Sequence, residues 1–197
     1  MPHRNRVTPF GEIVAAPERG TLMGNRGVLL GDDGSHRRDW QVRRWIACRL
    51  EFKGRRRAIR RPRRWTELFF LDEATALAAG HRPCAECRRE DYRRWQAAWH
   101  EADTSAGAMD LVLHSDRLDA RAKRTYEAAV GDLPDGVIVE RGGAFLLWGG
   151  ALRPWAPGGY GPPEPARAGE RVTVLTPRAT VATIARGYAV SVHPSAT

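Results

Sequence analysis

The stretch Leu68-Phe69-Phe70-Leu71-Asp72-Glu73-Ala74-Thr75-Ala76-Leu77-Ala78-Ala79-Gly80-His81-Arg82-Pro83-Cys84-Ala85-Glu86-Cys87-Arg88 decides how this chain is read. Four apolar residues, Leu68 to Leu71, form a short buried strand. Asp72 then offers a side-chain oxygen to the first turn of a helix over 73–79. Gly80 stands where a left-handed residue ends such a helix. Pro83 precedes a Cys-x-x-Cys pair, and a second helix is predicted from Ala85 to about Ala102, with Tyr92, Trp95, Trp99 and Ala102 on its apolar face.

Two cysteines three residues apart at a helix start have a clear chemical use. The turn brings both sulfurs within reach of one cation, and the positive end of the helix favours thiolates. Zinc takes such ligands at ~2.3 Å in tetrahedral sites. One pair is a weaker signal than two, and Cys48 is the only other cysteine. Cys48 lies on the apolar face of a strand predicted over 40–52, so it reads either as a third ligand or as a buried core thiol.

These residues resemble the zinc-binding N-terminal domain of the Ada DNA-repair proteins, the methylphosphotriester-acceptor family. The likeness covers residues 68–88: an aromatic strand, an alanine-rich helix, then a Gly-x-Arg-Pro-Cys-x-x-Cys turn. It implies a zinc site beside DNA with Cys84 and Cys87 as ligands and Cys48 as an earlier one. It also implies a zinc-bound thiolate that accepts a methyl group, for which Cys48 is the candidate catalytic residue. The family's upstream Cys-x-x-x-Cys is incomplete here, because Arg44 and Phe52 stand four residues either side of Cys48. His81, three residues before Cys84, is a candidate for the missing ligand, though the resemblance puts it in a packing position; His36, His3, His114 through tertiary packing, and a water molecule are the alternatives. His100 lies ~20 Å along the helix from Cys87, too far to take part.

Charge is unevenly placed. Residues 1–66 carry 17 Arg and Lys against 6 Asp and Glu, and residues 67–197 carry 15 against 17, so the whole excess of +9 arises in the first third. Arg43, Arg44, Arg49, Lys53, Arg55, Arg56, Arg57, Arg60, Arg61, Arg63 and Arg64 fall within one short segment among Trp40, Trp45, Phe52 and Trp65. Guanidinium groups match phosphate oxygens in pairs, and aromatic rings between them suit stacking. The segment predicts a nucleic-acid surface, DNA before RNA; a solvated basic face is the plainer alternative.

The remaining features set the class. An odd, sparse cysteine count is not a secreted disulfide framework. The start, Met1 to Arg6, has no apolar run behind it and reads as no secretory signal, and no stretch suits a membrane span. A reducing cytoplasm is the expected compartment.

The expected fold is α+β: a twisted antiparallel sheet whose Cys-x-x-Cys knuckle leads into a packed helix, plus a small C-terminal hairpin-and-helix unit. A metal-binding, basic domain over 1–104 and a second α+β unit over 105–197 are expected, with one shared core as an alternative. In the second unit, Leu111–Val130 reads as helix, and Val137–Val139 with Ala144–Trp148 as a hairpin. Asp110, His114, Asp116 and Asp119 form a His/carboxylate cluster that suits acid–base chemistry or a polar helix face. The predicted function is that of a zinc-containing nucleic-acid-binding protein in DNA repair or damage response. A zinc- or thiolate-dependent enzyme on DNA, either alkyl acceptor or nuclease, and a structural zinc adaptor are the alternatives.

Overall fold

A computed structural model describes residues 2–54 and 63–197. The chain is α+β, with two large sheets and four α-helices among the described residues. Its first part contains β1 (Arg4–Val7), β2 (Ile13–Ala15), β3 (Leu22–Asn25), β4 (Ile46–Arg49), β5 (Leu68–Phe70), α1 (Glu73–Ala78), β6 (Arg82–Pro83) and α2 (Arg89–Ala98). Then follow α3 (Ala106–Arg117), β7 (Leu118–Asp119), β8 (Ala122–Lys123), β9 (Tyr126–Ala129), β10 (Ile138–Glu140), β11 (Ala144–Trp148) and β12 (Ala151–Ala156). The last elements are β13 (Gly159–Tyr160), β14 (Glu164–Pro165), β15 (Arg171–Val174) and α4 (Arg178–Ala185).

The first sheet runs in the order β2-β1-β5-β3-β4-β6. It is not purely antiparallel: β1 pairs parallel with β5, and β4 pairs parallel with β6. Parallel neighbours need a long crossover. The chain supplies one each time, and β5 and α1 lie within the connection from β4 to β6. Strand β3 is paired on both sides, and a Cβ on Gly24 would come 2.2 Å from the Ile46 carbonyl oxygen. Glycine lets the backbones close there.

Helix α1 follows the sequence closely. Asp72 caps it, accepting from the Thr75 amide at 2.9 Å and the Thr75 hydroxyl at 2.8 Å. All six of its residues are buried. Gly80 sits at φ +88° and ends the element. A Cβ there would lie 2.5 Å from Cδ of Arg117, so packing as well as backbone conformation requires glycine.

Several boundaries differ from expectation. The strand predicted over 40–52 is limited to β4, and α2 begins at Arg89 because residues 85–88 form a turn. The helix predicted over 111–130 is α3, shifted toward the N-terminus by its Ser105 cap, after which the chain turns into β7, β8 and β9. The C-terminal part is also larger than a hairpin and a helix. Its sheet runs β13-β12-β11-β10-β15-β9, with β14 on β12. The expected β10–β11 hairpin lies inside it, in register Val139↔Phe145.

One buried cluster draws Leu71, Leu77, Trp95 and Trp99 together with Met109, Leu146, Val174 and Tyr188, from both sides of position 104. Polar ties reinforce it. Asp72 also accepts from the Tyr160 hydroxyl and the His193 amide, each at 2.9 Å. Glu73 accepts from the Tyr188 hydroxyl at 2.6 Å and the Ser191 amide at 3.0 Å. Among the described residues, no helix is long and apolar enough to cross a membrane.

Candidate metal centre and basic face

The register of β4 against β6 sets the site. Ile46 stands opposite Arg82 and Ala47 opposite Pro83, so the residues that follow, Cys48 in β4 and Cys84 just past β6, lie side by side. The Cys84 amide donates to the Ala47 carbonyl at 3.0 Å and holds this pairing. The chain then turns through 85–88, with the Arg88 amide donating to the Cys84 carbonyl at 3.1 Å, which brings Cys87 back beside Cys84. The three sulfurs lie within 4.8 Å of one another. All three residues are buried and free of disulfides, and Met23, Ile46, Phe52 and Phe69 pack around them.

Two buried ion pairs brace this arrangement. Arg82 forks onto Asp110 of α3 with two 2.8 Å bonds. Arg88 reaches Glu73 at 2.6 Å and Asp91 at 2.8 Å. Burial disfavours the Arg88 charge, but Glu73, Tyr188 and Asp91 outweigh it and hold the guanidinium pKa up. The residues before Cys84 and after Cys87 are thus fixed from α3 and α1. The sequence reading missed these braces, because Arg82 and Asp110 are 28 positions apart and nothing local joins them.

The sulfurs share protons unevenly. Hydrogen bonds from the Cys48 and Cys87 thiols, with help from the Cys87 and Glu86 amides, pull the Cys84 pKa down against the opposing effect of burial. Cys48 is pushed up by its bonds to the other two sulfurs and by burial. An all-sulfur donor set of this kind suits zinc or another thiophilic metal, and binding would release the remaining protons.

His81 is not among the clustered ligands. Its fully buried ring packs against Phe70 and Trp45, with centroids 4.6 and 5.2 Å away. One ring nitrogen meets the Ala76 carbonyl and the other takes a 3.3 Å bond from Arg26 Nε. Burial and the Arg26 and Arg117 charges lower its pKa, so the imidazole is neutral and its lone pair is engaged. His3 and His36 are also outside the group, and His36 Nε2 lies 2.8 Å from the Arg4 carbonyl. Among the described residues no fourth side chain completes it. Residues 55–62, RRRAIRRP, contain no His, Cys, Asp or Glu. A narrow cavity does reach Cys48, between Met23, Thr66, Glu67 and Trp65.

The basic segment is exposed where it is described: Arg43, Arg44, Arg49, Lys53, Arg63 and Arg64 all face solvent. Arg55, Arg56, Arg57, Arg60 and Arg61 lie outside the described residues. Arg49 directly follows Cys48. Arg44 stands 5.9 Å from the ring of Trp65, which is 46 % exposed. Arg63 is engaged by Asp32 through a 3.0 Å pair.

The His/carboxylate cluster does not assemble as a site. Asp110 serves Arg82, His114 lies 3.0 Å from Arg117, Asp116 accepts from the Ala179 amide, and Asp119 lies 3.7 Å from Arg124. No protein-family model, curated protein or solved structure matches this chain.

Proposed function

We propose that the chain binds one zinc ion through Cys48, Cys84 and Cys87 and holds nucleic acid, DNA in the first place, on the arginine face that begins beside Cys48. The convergence of three buried sulfurs from two strands and a turn carries this reading. A bound cation would displace the thiol protons, offset the repulsion between the resulting thiolates and so add its binding free energy to folding. Bound zinc would keep the sulfurs as thiolates and tie β4 to the turn before α2. The Cys-x-x-Cys turn is then a metal knuckle, and its likeness to the Ada zinc domain suggests a setting in DNA repair or damage response.

The alkyl-acceptor reading is favoured by one observation: among the described residues no fourth side chain joins the three sulfurs, while a narrow cavity reaches Cys48. In that reaction the Cys48 sulfur would form an S–C bond to a methyl group as its C–O bond breaks, and a phosphodiester would leave. Retention of a labelled methyl group from alkylated DNA tests it, and a Cys48→Ala protein that still takes up label excludes Cys48 as acceptor.

Duplex DNA titrated against salt tests the binding reading. Neutralising Z phosphates should give a log–log slope of about −0.9Z. Binding insensitive to salt, or none with the zinc-loaded chain, would exclude the basic face as a DNA site.

A further inference from the structure

Away from the cysteines, two arginines are buried and one lysine is half-buried with no carboxylate in ion-pair contact; Asp39 acts on Arg26, and Asp110 on Arg117, only from a distance. Arg26 and Arg117 are each 1 % exposed, and Lys123 is half-buried. None forms an ion pair within 4.0 Å among the described residues. Their bonds go to neutral groups: Arg26 to His81 and the Gly11 carbonyl, Arg117 to the Gly80 and Arg43 carbonyls and His114, and Lys123 to the Ala78 carbonyl. Two donors, Nη2 of Arg26 and Nε of Arg117, have no partner and are closed off from solvent, so an entering ligand would meet the other faces of these guanidinium groups. Both guanidinium carbons lie 4.0 Å from the ring centroid of Trp45, so they are no more than twice that distance apart.

This arrangement is costly. A buried, unpaired charge is destabilising by several kcal/mol, and clustered like charges add repulsion. Burial, together with repulsion from Arg26 and Arg117, lowers the Lys123 pKa to about 7. Carbonyl oxygens and the Trp45 ring offset part of this cost but leave the two open donors. The excess of positive charge would be offset by an anion that brings several oxygens at once.

The three cations and Trp45 line a common cavity of about 770 Å³. That size suits a small-molecule ligand. Arg4 and Arg121 also line it, and Glu12, Asp39 and Glu140 face it, so five cations oppose three carboxylates. Phe10 and Trp40 supply apolar wall on which an organic group can rest. We infer that this cavity is a binding site for a phosphoryl group, with Arg26, Arg117 and Lys123 as its floor and Arg121 at its rim. The site is separate from the three sulfurs and does not depend on the zinc reading.

Calorimetric titration of the full-length chain with sodium pyrophosphate tests this. Wild type should bind, and Lys123→Gln and Arg121→Glu should each weaken binding about tenfold or more. Arg121 is exposed, so its variant reports binding even if Lys123→Gln fails to fold. Arg93→Glu, the same charge change on the exposed side of α2, should leave affinity within about twofold. Nitrogen-15 spectra give an independent readout, because the Arg117 Nε–H resonance should shift on saturation. A 5′-phosphorylated oligonucleotide that displaces pyrophosphate, when the unphosphorylated strand does not, would place the phosphoryl group on a nucleic-acid end. Failure of both strands would place it on a small metabolite. No binding by the wild type at millimolar pyrophosphate would overturn the proposal, as would equal weakening by Arg93→Glu and Arg121→Glu.

Discussion

Glu73→Gln should be among the most damaging conservative substitutions in this chain. The Glu73 carboxylate is 1 % exposed and accepts from Arg88, the Tyr188 hydroxyl and the Ser191 amide. Glutamine keeps the shape but removes the charge, leaving Arg88 buried with Asp91 alone. Removing one partner of a buried pair costs about 3–5 kcal/mol. Asp91, at 2.8 Å and partly exposed, retains some pairing, which favours the lower end. A loss of about 3 kcal/mol lowers the melting midpoint of a chain this size by about 6–12 °C. Urea and thermal unfolding, with the exposed Glu90→Gln as control, would read it. Replacing both members, as in Glu73→Leu with Arg88→Met, should recover part of the loss, because two apolar groups avoid the desolvation that one stranded charge suffers. A Glu73→Gln protein within 1 kcal/mol of wild type would refute the claim that this pair braces the turn that carries Cys87.

Other outcomes follow from the same geometry. Gly80→Ala should destabilise by about 2 kcal/mol or more in denaturant titrations, because alanine is strained at this left-handed φ and its Cβ meets Arg117. Lys123 titrates near 7 when folded and near 10.5 when unfolded, so the unfolded chain binds the extra proton between those values. Stability from this group should therefore rise with pH across that window and be lost as pH falls through about 7. Lys123→Met should remove this part of the slope when the two proteins are compared by unfolding at several pH values. If the arginine face holds DNA, Arg44→Ala or Arg49→Ala should each reduce the salt slope of duplex binding by about one, with similar losses on unrelated sequences.

What the sequence revealed and what it hid divide along a physical line. Local chemistry was legible. Asp72 and Gly80 bracket α1 because capping and left-handed backbone are short-range requirements, and the β10–β11 hairpin is announced by glycines between apolar runs. The Cys84–Cys87 pair advertised itself, but its meeting with Cys48 depends on the parallel register of β4 and β6, which no local pattern encodes. The arginines were the least legible. Nothing local in the sequence marks Arg26, Arg82, Arg88 or Arg117 as buried, yet all four are, each serving a distant carboxylate, carbonyl or ring. His81 shows a related limit: its nearness to Cys84 along the chain made it a candidate ligand, whereas its ring turns into the aromatic pocket of Phe70 and Trp45, a packing role.

The zinc claim meets its most direct test in X-ray absorption at the zinc edge of the purified, zinc-loaded chain, with metal content measured on the same sample. The account predicts one zinc per chain with three sulfurs at about 2.3 Å, and loss of that shell in Cys84→Ser. A folded protein that retains no zinc, or whose zinc has only nitrogen and oxygen neighbours, would contradict it.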